Sequence, residues 1–286
     1  MLEFALLVAA VAALLAILDR VANRFIRPVL RPPDRTLGEL EAFAYEDVVI
    51  PAGAHTLAAW ILRPTGEPTP AVFVLAHGWG ASYGTLLRLG EPLVRAGHEV
   101  VLFDVRGHGR NDELPYVTVR HFRDDVTAVL DWVAGRFPGR PVVLVGHSLG
   151  GAGAVLAAAD GARVDALALI AAPADVMQVT AEYLRDQGLP GDVIVRFFRP
   201  VFWRRIGSTF RELTPSRRIA ELDIPLLILQ PEQDQRVARA HAKRLAEAAG
   251  QPYVLIPGAE HTDVLEHPET VRLVQELART VRRTTV

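Results

Sequence analysis

At 286 residues the chain is long enough for one large α/β domain or two small ones. Half of its residues are hydrophobic and 22% are charged, which supplies a sizeable core and excludes wholesale disorder. A net charge of −2, from 31 basic and 33 acidic side chains, leaves no electrostatic footprint for nucleic acid. With no cysteine, disulfides, thiolate metal sites and a cysteine nucleophile are all excluded.

Residues 4–18 carry no polar side chain, and the Leu/Ala-rich pattern runs on to Ala22. Spanning a bilayer takes about 20 residues, with about 17 as the lower limit. The chain begins Met1-Leu2-Glu3 and places Arg20, Arg24, Arg27 and Arg31 after the run, unlike a cleaved signal peptide. By the positive-inside rule the chain that follows stays cytoplasmic. The expectation is membrane association through residues 1–22, single-pass or interfacial. The alternatives are a cleaved signal peptide, or an apolar helix packed on the domain or on a partner copy of a soluble cytoplasmic protein. Pro28, Pro32 and Pro33 close this helix, so residues 1–27 form one unit and residues 28–43 read as a linker.

Strands at 45–50 and 56–62 flank a turn at 51–53 and read as an antiparallel hairpin. Apolar runs at 71–76, 99–103, 142–145, 166–170, 225–229 and 253–256 then alternate with helical stretches at 83–96, 118–136, 148–159, 237–249 and 268–283. That alternation is the signature of a mostly parallel sheet with helices on both faces, so the fold class is α/β with eight strands. The core is assigned to 44–173 and 217–286. Residues 174–216 break the rhythm with no strand and with many aromatic and arginine side chains, as a functional lid does.

Chemistry is expected where loops leave the carboxyl ends of parallel strands. Residues 142–150 run an apolar strand into Gly146-His147-Ser148-Leu149-Gly150, the sharp turn that lifts a serine hydroxyl clear of a sheet. A serine hydroxyl is a weak nucleophile near neutral pH, so it needs a base and donors for the developing oxyanion. His261, leaving the last strand in Pro257-Gly258-Ala259-Glu260-His261, is placed to be that base. Asp234 in the loop after 225–229 is the carboxylate for its Nδ1 proton, with Glu232 and Asp175 as rivals. His77-Gly78-Trp79-Gly80 offers the Trp79 N–H, and the Leu149 N–H completes an oxyanion hole. His77 reads as a brace for that loop, and Asp104 and Arg106 as loop ties. Trp79, Tyr183, Phe198 and Phe202 are candidates for lining the substrate pocket. No metal or organic cofactor is implied.

The order serine, acid, histidine, together with HGWG at 77–80, DVRGHG at 104–109, GHSLGG at 146–151, QPEQD at 230–234 and GAEH at 258–261, resembles the α/β-hydrolase superfamily. The resemblance runs from about residue 44 to the end and is closest to the branch of monoacylglycerol lipases, lysophospholipases and proline iminopeptidases. It implies Ser148 as nucleophile, Asp234 as acid, His261 as base, the Trp79 and Leu149 amides as oxyanion donors, and residues 174–216 as a helical cap. Residues 1–43 have no counterpart in the soluble members, and Pro231-Glu232 departs from the small residue often found ahead of the acid.

The expected activity is hydrolysis of carboxylic esters, with a lipophilic small molecule or lipid ester as substrate, through an acyl-serine intermediate. Thioesterase, amidase or peptidase, and acyltransferase activities share the same triad. Glu182, Asp186 and Asp192 would serve a peptidase that reads a free amino terminus. A silent, membrane-tethered binding protein is the alternative outside catalysis. Oligomeric state is not legible.

Overall fold

The computed structural model describes residues 1–28, 32–39, 43–207 and 209–281. The strands are β1 (Ala44–Ala52), β2 (His55–Arg63), β3 (Val72–Ala76), β4 (Glu99–Phe103), β5 (Val142–His147), β6 (Ala166–Ile170), β7 (Leu226–Pro231) and β8 (Val254–Ile256). They form one eight-stranded sheet in the order β1-β2-β4-β3-β5-β6-β7-β8. The helices are α1 (Leu2–Ile26), α2 (Tyr83–Arg95), α3 (Val119–Arg136), α4 (Leu149–Ala159), α5 (Val176–Asp186), α6 (Gly191–Ile206), α7 (Pro215–Arg218), α8 (Arg239–Ala249) and α9 (Pro268–Thr280). The β1–β2 hairpin is antiparallel, with Ala52 opposite His55. Its turn uses Gly53 at φ +67, a left-handed conformation that glycine adopts without steric cost. Strand β2 also pairs antiparallel with β4, and the pairs among β3 to β8 are all parallel.

Two apolar layers cover the sheet because side chains alternate faces along each strand. Val72, Val74 and Ala76 of β3 face one layer with α3, α4 and α8, and Phe73 and Leu75 face the other with α2 and α9. Burial on both faces explains why these strands read as apolar runs rather than as polar/apolar alternation. From α2, Leu86, Leu87, Leu89, Leu93 and Val94 enter the second layer, where burying each leucine is worth roughly 1.5–3 kcal/mol. Between α3 and α4 the fit depends on absent side chains. A Cβ on Gly153 would lie 2.8 Å from Phe122 Cβ, so the Gly/Ala-rich α4 lets the two helices approach closely.

Helices α5 and α6 are inserted between β6 and β7, and they pack on each other. Phe198, Phe202 and Ile206 of α6 are buried in the core layer, whereas Tyr183, Val193, Phe197 and Trp203 are exposed. Asp175 caps α5 by accepting from the Met177 and Gln178 amides at 2.9 and 3.1 Å.

The membrane anchor expected over residues 1–22 is not supported. Among the described residues no helix is long and apolar enough to cross a membrane. The physical reason lies at Glu3, Asp19 and Arg20: they confine the uncharged run to residues 4–18, shorter than the about 17 residues a span needs. Asp19 instead pairs with Arg204 and Arg205 of α6, and Arg205 also donates to the Asp19 carbonyl at 2.8 Å. Ala22 is fully buried, and the Ile26 carbonyl accepts from the Val117 amide at 2.8 Å, so the last turns of α1 dock on the body. Upstream, Phe4, Leu6, Leu7 and Val8 are exposed. Within the segment expected as a linker, Leu37 and Phe43 are buried and Arg35 donates to Glu266 at 2.5 Å; residues 29–31 and 40–42 lie outside the described residues.

Candidate active site

Every parallel strand discharges its loop at the same sheet edge, and the loops after β3, β5, β7 and β8 bring the candidate residues there. Ser148, directly after β5, sits at φ 53 and ψ −126, a strained conformation for a residue with a Cβ. The strain is held in place from both sides. Its amide donates to the Ile170 carbonyl at 2.9 Å, and α4 begins at Leu149. A Cβ on Gly146 would strike the Gly151 backbone, and one on Gly150 would strike the Ala76 and His77 carbonyls. Gly78 crosses over the serine so closely that a Cβ there would lie 2.7 Å from Ser148 Cβ and 3.1 Å from its Oγ.

The candidate acid and the candidate base meet between the loops after β7 and β8. Asp234 Oδ2 lies 2.9 Å from His261 Nδ1, and Asp234 Oδ1 accepts from the Arg236 and Val237 amides at 2.8 and 2.9 Å. The Asp234 side chain is wholly buried. Burial pushes its carboxyl up, but the His261 hydrogen bond and the two loop amides together hold it below the usual carboxylate range. An ionised Asp234 only accepts, so Nδ1 of His261 carries the hydrogen and Nε2 is left as the acceptor. Both rivals are engaged elsewhere: Glu232 accepts from the Gly258 amide at 2.9 Å, and Asp175 caps α5.

Known proteins resemble this chain in sequence and in fold. The family model described as serine aminopeptidase, S33, matches residues 67–204. Human monoglyceride lipase is 35% identical over 124 residues, which is 42% of this chain and 41% of that protein. The chain thus spans about two fifths of the length of that relative. Lysophosphatidylserine lipase ABHD12 of Macaca fascicularis is 25% identical over 262 residues, covering 81% of this chain and 64% of that protein. Among solved structures, the Pyrococcus furiosus esterase Pf2001 superposes with a TM-score of 0.69 at 19% identity, over 89% of this chain and 100% of that one, which speaks for the fold.

In sequence and fold the chain is similar to serine hydrolases of the α/β-hydrolase superfamily.

Around the elbow at Ser148, His77 is a buried brace. The Val105 amide donates to its Nε2 at 2.9 Å, so Nδ1 carries the hydrogen and donates to the Gly78 carbonyl at 2.7 Å. Burial, helped by the neighbouring His108, pushes His77 down to about 3, and it stays neutral. Asp104 accepts from the Tyr83 and Arg110 amides at 2.7 and 2.8 Å, and burial raises it to about 6. Arg106 pairs with the buried Asp125. The Leu149 amide stands at the first position of α4, where the helix itself provides no acceptor. Trp79 is half-buried, with its ring edge-on to His108 at 5.5 Å. Phe198 and Phe202 are buried with ring centroids 6.3 Å apart, while Tyr183 is 59% exposed.

Among the described residues no hydrogen bond joins Ser148 Oγ to His261, and the two loops are linked one residue earlier. His147 Nε2 donates to the His261 carbonyl at 2.8 Å, and the two imidazole rings lie 4.8 Å apart. Gln230 is a second residue the sequence reading did not single out. It is buried at the end of β7 and donates to the Pro231 and Val237 carbonyls at 3.2 and 3.1 Å, closing the acid loop on itself. Polar residues at the last positions of apolar strands were the available signal for both.

Proposed function

We propose that this hydrolase cleaves carboxylic esters with lipophilic acyl groups, using Ser148 as nucleophile, His261 as general base and then acid, and Asp234 as the group that orients it. The observation that carries the reading is the 2.9 Å contact between Asp234 and His261 on loops at the sheet edge where Ser148 turns. Ser148 Oγ attacks the acyl carbonyl while its proton passes to His261 Nε2, and the Trp79 and Leu149 amides receive the oxyanion. Collapse expels the alcohol, which takes the proton from His261. Water then attacks the acyl-serine, returns a proton through His261, and releases the carboxylic acid with Ser148 regenerated. The buried Asp234 carboxylate stabilises the imidazolium in both halves.

The lipophilic preference draws on the apolar side chains of α5 and α6, read as a cap over the site, and on two relatives named as lipases. A second reading, cleavage beside a free amino terminus, is favoured by the family model's description. It is weakened because two of the three cap carboxylates that would receive the amine are committed. Glu182 pairs with His241 at 2.9 Å, and Asp192 with Arg185 at 3.0 Å.

Turnover of p-nitrophenyl esters tests the assignment. Ser148→Ala and His261→Ala should each lower it by as much as about a millionfold if the residues act as a unit. Near-wild-type rates in either variant reject it. An acyl-chain series compared with aminoacyl anilides separates the two substrate readings: activity rising with chain length supports the lipophilic ester, and faster anilide cleavage supports the peptidase.

A further inference from the structure

The loop that carries His261 is held on the side of the acid by two contacts. The Gln233 amide donates to the Ala259 carbonyl at 2.9 Å, and the Gly258 amide donates to Glu232. On the side of the nucleophile the tie is His147, the residue that precedes Ser148 and is itself only 3% exposed. Its Nε2–H reaches the main-chain carbonyl of His261 at 2.8 Å, and its ring leans on the His261 ring at an interplanar angle of 48°.

We infer that His147 is a positioning residue for the base: its Nε2–H pins the His261 main chain, and its ring backs the imidazole that Asp234 grips through Nδ1. The inference rests on the reading of His261 as the general base. Two fixed points on one residue, the carbonyl and Nδ1, leave the intervening side-chain torsions little freedom. The direction of Nε2 relative to Ser148 is then set before substrate arrives, and such preorganisation is where sub-ångström placement matters most.

The chemistry of His147 suits a support and not a proton carrier. Its Nδ1 is buried without a partner, so the tautomer with hydrogen on Nε2 is the one that satisfies the site. Burial, helped by the neighbouring His261, pushes it down to about 3, so it remains neutral while His261 cycles through imidazolium. A charged ring 4.8 Å from that imidazolium would oppose the proton transfer.

Two substitutions in the full chain divide the role. His147→Phe keeps a ring and removes the donor; His147→Gln keeps a donor nitrogen near the place of Nε2. The Phe variant should lose about tenfold to a hundredfold in kcat with KM within about twofold, since ground-state binding is untouched. The Gln variant should recover most of that loss, and fluorophosphonate labelling rates should follow kcat. Wild-type kcat in the Phe variant, or a Gln variant no better than Phe, overturns the inference. If the Phe variant shows no cooperative melt, His147→Asn, whose shorter amide falls short of the His261 carbonyl, takes its place beside Gln, and equal kcat for the two amides overturns the inference. Ser148→Ala run in parallel keeps the two readings apart. An active Ser148→Ala removes the base assignment itself, whereas an inert one beside a fully active His147→Phe removes only the role of His147.

Discussion

Asp234 earns its place beside His261 through its own loop: one carboxylate oxygen is held by the Arg236 and Val237 amides, and the other faces Nδ1. Glu232 and Asp175 spend their oxygens on the Gly258 amide and on the start of α5. Asp234→Asn should therefore cut ester turnover by on the order of 10⁴-fold, because the amide fails to stabilise the imidazolium and favours the wrong tautomer. Glu232→Gln and Asp175→Asn should fall far less, since each retains an oxygen that can accept from the same amides. Steady-state rates of the three variants on one ester check this, and a reversed ranking would move the acid label. The same scale explains why residue 78 is glycine. A methyl group there would meet Ser148 Cβ at 2.7 Å and its Oγ at 3.1 Å.

At the scale of elements, the placing of Ser148, the proposed nucleophile, depends on how closely α4 can lie under β5 and against α3. All residues of α4 from Leu149 to Ala157 are buried, and Gly153 faces Phe122 with no room for a methyl group. In an open helix, glycine to alanine gains up to about 1 kcal/mol of helix propensity. At Gly153 overpacking opposes that gain and wins, so Gly153→Ala should destabilise by about 1–3 kcal/mol and shift the elbow that α4 begins. Gly135 in α3 is the control, because a Cβ there meets nothing within 4 Å. Gly135→Ala should stabilise by about 0.5–1 kcal/mol. Urea unfolding of both variants measures the contrast, and equal shifts would show that packing between α3 and α4 is looser than a 2.8 Å approach to Phe122 requires. Helix α5 is likewise tied to α8. The buried His241 accepts from the Ala174 amide at 3.1 Å and pairs with Glu182 at 2.9 Å, so the proposed cap starts from a fixed point.

Across the whole molecule, buried and half-buried histidines set the response to acid. Burial is the first cause for each of them, and it pushes His77 and His147 down to about 3 and His98, His108 and His121 to about 4, from an ordinary value of 6.5. Below about pH 6.5 the unfolded chain binds protons at these positions that the folded chain refuses, so stability falls as pH falls through that window toward about 4. Asp104, raised to about 6, and Asp125, also raised, carry the opposite sign. Between 3.8 and the folded value the folded state holds the extra proton, and these groups favour folding on the acid side. The histidines outnumber the carboxylates, so Tm should drop from about pH 6.5 to about pH 5. Calorimetry across that range decides it, and a flat or rising Tm would contradict the balance. Helix α1 adds a contact on the same scale, tying the N-terminal segment to α6 through Asp19, Arg204 and Arg205.

The sequence alone determined the α/β order, because strands buried on both faces must be apolar runs, and these alternate along the chain with helical stretches. It also placed Ser148, since the elbow leaves a local glycine signature, and it placed the loops of Asp234 and His261. What it left open turned on contacts between residues far apart in the chain. The 2.9 Å approach of residues 234 and 261, which favours Asp234 over Glu232 and Asp175 as the candidate acid, is one such contact. His147 was invisible because its partner is a main-chain carbonyl 114 positions away. Apolar content in residues 1–22 suggested a membrane, whereas the docking of Asp19 and Ala22 on the body depends on where α6 happens to pass. Local pattern fixes what a segment can bury and how it can turn; which neighbours complete it is decided only when the sheet closes and brings its loops to one edge.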